Sequence, residues 1–217
     1  MQMQIDLRLR YPKRYVPVSP EKQIQHFEKL LNGRLDASGV MRLLPYAIRR
    51  PAENWFVAPK LGLFKAYEEA VDFMLSARGV ILRERQALIY EKPQQLERTK
   101  NALRQLGEAQ EGDFWFFPAQ LGFLHRQASA EEVRSNYGEK EFGLDVYLAA
   151  ACLVSHGERL TGDQTELGIN CPGNEDHKGG IPKIPGFNSF EGRVRCLLNR
   201  TNEPNPSYGS ATGFLPY

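Results

Sequence analysis

The chain has 217 residues, 41% of them hydrophobic and 25% charged, with a net charge of +2. That balance suits one globular domain and excludes a disordered, fibrous or collagen-like polypeptide. The small total hides a division, because residues 1–50 hold ten Lys and Arg against four Asp and Glu, whereas residues 106–217 hold nine against fifteen. Two such halves attract each other as they pack, a simpler account than a polyanion-binding edge.

The opening stretch, MQMQIDLRLRYPKRYV, has no apolar h-region, so no signal peptide is expected from it. Ile5, Leu7, Leu9 and Tyr11 alternate with Asp6, Arg8 and Arg10, the period of a half-buried strand with a basic outer face. Ser19 and Pro20 then form a helix start, with Ile24, Phe27, Leu30 and Leu31 as the apolar face and Asn32-Gly33 as the stop. Val40, Leu43 and Leu44 make a short segment cut by Pro45, and Trp55-Phe56-Val57 reads as a brief strand. From Leu63 to Ala77 the spacing of Phe64, Tyr67, Val71, Met74 and Leu75 predicts an amphipathic helix capped near Gly79.

Val80–Leu82 and Ala87–Tyr90 read as two short strands, and Pro93 as the opening of a helix that Gly107 closes. Asp113 to Phe117 is a strand, which Pro118 is expected to stop. Ser129 and Glu132 have the spacing of a capping box. Next comes the stretch around which the chain is organised, EFGLDVYLAAACLVSH at 141–156. Val146 to Val154 is continuously apolar, so this is a core helix packed on several sides, too short to cross a bilayer. After Arg159 the composition turns to Gly and Pro, and the expectation is loops linking short strands at Leu167–Asn170 and Arg193–Leu198. Gly209 to Gly213 reads as one of those turn-rich loops. The fold class is therefore α+β, a single domain over 1–217, loop-rich from about 160, with helices packed on a mixed sheet.

EFGL at Glu141–Leu144, HGERL at His156–Leu160, CPGNE at Cys171–Glu175 and GSATGFLP at Gly209–Pro216 resemble patterns in a family of uncharacterised bacterial proteins of about this size. The resemblance covers the C-terminal third and implies a bacterial-type soluble domain. It carries no activity and assigns no residue a role.

Phosphate-binding glycine loops, paired C-x-x-C and nucleophile elbows are absent. The candidate chemistry gathers after the core helix. Cys152 and His156 share a helix face, and Cys171 and His177 bracket a Pro-Gly-Asn turn, so the four form a candidate tetrahedral zinc set. The same residues have plainer readings, Cys152 as a packed thiol and His156 as a cation at a helix C-terminus. Cys171 is alternatively a nucleophile, with His156 or His177 as base and Asp163 or Asp176 as orienter. Glu158, Asp163, Glu166, Glu175 and Asp176 are loop carboxylates able to take a divalent cation or act as an acid–base pair. Arg8, Arg10, Lys13 and Arg14 beside Tyr11 and Tyr15 form a basic, aromatic patch, better read as edge protection than as a nucleic-acid site. Trp115, Phe116, Phe117 and Phe123 are core or the wall of a pocket, with Gln120, His125 and Arg126 at its mouth and Glu175 and Asp176 as further ligand-binding candidates.

Three cysteines, too few for a disulfide scaffold, point to a reducing cytoplasm. The expectation is a cytoplasmic protein that binds a small molecule or another protein, without nucleic acid or membrane. Its alternative is a hydrolase or transferase using a Cys/His/acid or metal site after residue 156.

Overall fold

The computed structural model describes residues 15–43 and 52–216, apart from 162, 164, 165 and 179. The expected strand at 5–11, its basic patch and the break at Pro45 lie outside them.

Ser19 stands at the N-cap of α1 (Pro20–Leu30), although its hydroxyl makes no cap bond. Ile24 and Phe27 of this helix are buried, and so is Gln23. A short α2 (Ser38–Leu43) leads to β1 (Asn54–Pro59), whose residues are all buried. Gln23 completes the outer edge of β1. Its amide donates to the carbonyl of Trp55 (2.9 Å) and accepts from the N–H of Val57 (2.8 Å), so one side chain imitates a neighbouring strand.

The predicted helix after Leu63 begins later, as α3 (Tyr67–Ala77). Gly79, at φ +83°, ends it with Gly79 N–H to Ser76 and Val80 N–H to Leu75, the Schellman pattern. The two strands expected at 80–90 are a single helix, α4 (Leu82–Glu91). Leu, Arg, Glu, Gln and Ala are strong helix formers, and that composition overrode the short apolar runs. Pro93 does not open a helix. It precedes β2 (Gln94–Gln95), and α5 (Glu97–Ala109) starts four residues further on and runs through Gly107.

Pro118 does not stop a strand either, because β3 extends over Phe114–Arg126. Phe116 gives its N–H to the side-chain oxygen of Gln110 (2.7 Å) and accepts from the same amide (2.6 Å), on the side turned from β1. Pro118, two residues on, points its nitrogen the same way, where no ladder bond is required. Past Leu121 the strand bulges at Gly122, φ +105°.

The capping box forms as expected at α6 (Ala130–Ser135). Glu141–Gly143 is a strand, β4, and the core helix proper is α7 (Val146–Ser155), with every residue from Val146 to Val154 buried. β5 (Gly168–Asn170) and β6 (Asn174–Glu175) follow, then the long pair β7 (Lys183–Phe190) and β8 (Arg193–Arg200). Last comes β9 (Tyr208–Phe214), in the stretch expected to be a loop.

Among the described residues the main sheet has seven strands in the order β1-β3-β9-β5-β7-β8, with β4 also paired to β9; β2 and β6 form a separate pair. All its pairings are antiparallel except β5 with β9, so the sheet is mixed. α7 packs between α3 and β1, and one apolar cluster runs from Ile24 through α7 to Ala211. The α+β, single-domain architecture with a central buried helix is the one expected. Among the described residues no helix is long and apolar enough to cross a membrane.

Candidate functional site

Asp145 ends the bend between β4 and α7 and caps the helix, accepting the N–H of Leu148 at 2.7 Å. Its other oxygen accepts from the Tyr67 hydroxyl (3.1 Å) and the Gln95 amide (2.5 Å). Asn174 binds the N–H of Val146 through its own oxygen (2.6 Å) and donates to the Tyr67 hydroxyl (3.3 Å). A carboxylate with no solvent exposure is thus tied directly to α3, β2 and α7, and through Tyr67 to Asn174 of β6. Burial drives its pKa up to about 6, while the bonds from Leu148, Gln95 and Tyr67 pull it back. Gly143 and Gly173 make the joint possible: a methyl at Gly173 would overlap the carbonyl of Gly143.

Above this network lies a cavity of about 450 Å³, lined by Leu61, Tyr67, Glu68, Val71, Leu88, Ile89, Lys92, Pro93, Gln94, Gln95, Lys100 and Val146. Its volume is that of a small-molecule site. Val71, Leu88 and Val146 are buried and form its floor, whereas Lys92, Gln94 and Lys100 are exposed and form its rim. Tyr67 and Gln95 belong to both structures, bonding Asp145 below and lining the opening above. Lys92 and Gln94 also border a second, polar recess of about 400 Å³ with Glu91, Glu175, Asp176, His177 and Lys178.

The residues singled out in the sequence lie outside the larger cavity, with Glu175, Asp176 and His177 on the neighbouring recess. His156 is the C-cap of α7, 2% exposed. Its Nε2 accepts the N–H of Val18 (3.1 Å) and lies 3.0 Å from the Asn54 amide nitrogen, which puts the ring proton on Nδ1, near the Cys152 carbonyl at 3.2 Å. Burial depresses its pKa to about 4, so it is neutral and not the helix-terminal cation expected. Cys152, Cys171 and Cys196 are free and buried, and burial pushes all three thiols up, the opposite of what a nucleophile needs. Asp163 is exposed on a loop.

His177 is largely exposed and sits 3.1 Å from Glu175. Cys152, His156, Cys171 and His177 do not assemble into a zinc set: among the described residues no three His, Cys, Asp or Glu gather so as to hold a metal ion. The physical reason is that two of the four are walled into the core and His156 is spent on backbone.

Gln120 clamps the bulge, donating to Ser210 and Thr212 and accepting from Gly122 and Leu124. His125 lies 2.7 Å from Glu141. Burial pushes the Glu141 carboxyl up, but bonds from His125, Thr212 and Gly138 outweigh it and hold the group below its ordinary value. Glu175 pairs with Arg134, which also binds the carbonyls of Pro172 and Asn174. Asp176 is buried, accepts from the N–H of Lys178 and exchanges backbone bonds with Lys183. Trp115, Phe116 and Phe117 are core.

Sequence reading missed Tyr67, Gln95, Asp145 and Asn174 as a unit. One signal was present: an Asp immediately before nine apolar residues is an N-cap. Comparison of the chain with protein-family models, with curated proteins and with solved structures finds no match.

Proposed function

We propose that this is a small-molecule binding protein whose recognition site is the cavity over Tyr67 and Gln95. The observation that carries the reading is the construction of the floor, a fully buried carboxylate bonded by two side chains that also line an opening of ligand size. An N-cap needs only the Leu148 N–H; the bonds to Tyr67 and Gln95 fix the inner wall of the cavity, and pre-organised polar groups beside apolar surface are what a ligand site requires. A concave cavity suits an organic molecule better than a protein face. A bacterial, cytoplasmic setting belongs to the same reading, supported by three free cysteines and by the resemblance of the C-terminal motifs.

Ile89 is half-buried on the cavity wall, so Ile89→Trp fills the space from the side nearest solvent. Compounds that raise the melting temperature of the native protein in a small-molecule screen should lose that effect in Ile89→Trp, with far-UV circular dichroism reporting the same fold. Stabilisation of both proteins alike would place binding elsewhere and sink the proposal.

A further inference from the structure

Resting on that reading, we infer that the ligand is an amphipathic organic anion, its apolar body on Val71, Leu88 and Val146 and its charged head at the rim between Lys92 and Lys100. Among the described residues the lining holds two lysines against one acid, Glu68. Lys92 makes no ion pair and no side-chain hydrogen bond among the described residues, and Lys100 is approached only by Glu97 at 3.8 Å. Two of the neighbouring acids are engaged elsewhere, Glu175 with Arg134 and His177 and Glu91 with Lys178 at 3.9 Å.

Backbone conformation points the same way. Lys92 closes α4 in the left-handed region (φ 50°, ψ 58°), where glycine is the unstrained choice, so a cation stands on the rim at a conformational cost glycine would avoid. Depth then fixes the ligand's orientation. The Asp145 carboxylate beneath the floor repels a second negative charge, and the buried floor is aliphatic. An anion is therefore favoured only at the exposed rim, with the apolar end inward.

Octanoate, octanol and octylammonium share one chain and differ in the head, so titrating each into the full chain, followed by amide chemical shifts, reads the preference directly. Octanoate should bind tightest, and Lys92→Gly should weaken it by about two- to fivefold, the span of an exposed ion pair, bringing octanoate and octanol towards equal affinity. Lys92→Arg should keep the preference. Because Gly relieves the left-handed cap, Lys92→Gly should also melt no lower than the native protein, which separates lost affinity from lost folding. Octanol binding as well as octanoate, or octylammonium binding better, overturns the anion and leaves the cavity reading standing. Shifts from none of the three at Val71, Leu88 or Val146 bring down the cavity reading and this inference with it.

Discussion

His156 and Asp145 stand at opposite ends of one buried helix, and burial has driven their protons in opposite ways. Between about pH 4 and 6.5 the unfolded chain takes up a proton on His156 that the folded protein refuses, so this group's contribution is whole above 6.5 and is lost as pH falls. Between about 3.8 and 6 the folded protein keeps a proton on Asp145 that the unfolded chain has released, so this group removes stability as pH rises. From about pH 4 to 6 the two slopes cancel. Asp145→Asn abolishes one of them while keeping a capping side chain, so its stability relative to the native protein should climb by roughly 1.4 kcal/mol per pH unit across that window. Urea unfolding at several pH values measures the difference curve; a level curve would mean that the carboxyl is not raised.

β9 is the element the sequence disguised. Tyr208 to Phe214 reads YGSATGF, poor in β-branched residues and bearing two glycines, which in isolation is a loop composition. In the sheet the glycines are what allow it between three partners: a methyl at Gly209 would overlap the carbonyl oxygen of Gly122, and one at Gly213 would meet the Phe142 ring at 2.6 Å. Gly209→Ala should therefore destabilise by about 3 kcal/mol in chemical denaturation. Gly62→Ala, with none of the described residues within 4 Å of the added methyl, should be neutral or stabilising by up to about 1 kcal/mol. Equal effects would show that Gly209 is not pressed against Gly122. The legible elements were those that declare themselves locally: the Ser129–Glu132 box, the Ser19-Pro20 start and the apolar run of α7. Those that depended on a distant partner, such as β3 running on through Pro118 between β1 and β9, were not.

Across the molecule the same division separates fold from site. The α+β class followed from local periodicity, but the network beneath the cavity joins Tyr67 to Asp145 over 78 positions and Asn174 to Tyr67 over 107. No spacing rule reaches so far, and the residues whose chemistry is legible locally, the three cysteines and His156, are ones the core has absorbed. Long separation also makes the fold all-or-none. β9 pairs with β3, β4 and β5, so a chain stopped at residue 207 should lose the cooperative unfolding transition and its dispersed amide spectrum. A sharp transition in that shortened chain would show that the halves fold without their shared strand.

Synthesis on the ribosome adds a timing problem to this arrangement. Gln120 is made 90 residues before the Ser210 it will bind, so the inner edge of β3 waits unpaired while β5, β7 and β8 are still being translated. An open edge beside Phe114–Phe117 invites pairing with other nascent chains. Gln110 lies only six positions from Phe116 and is translated before it. Its amide is available to the aromatic half of the edge as soon as that half is made, whereas the pairs at Ala119–Leu121 and at Arg126 wait for β9.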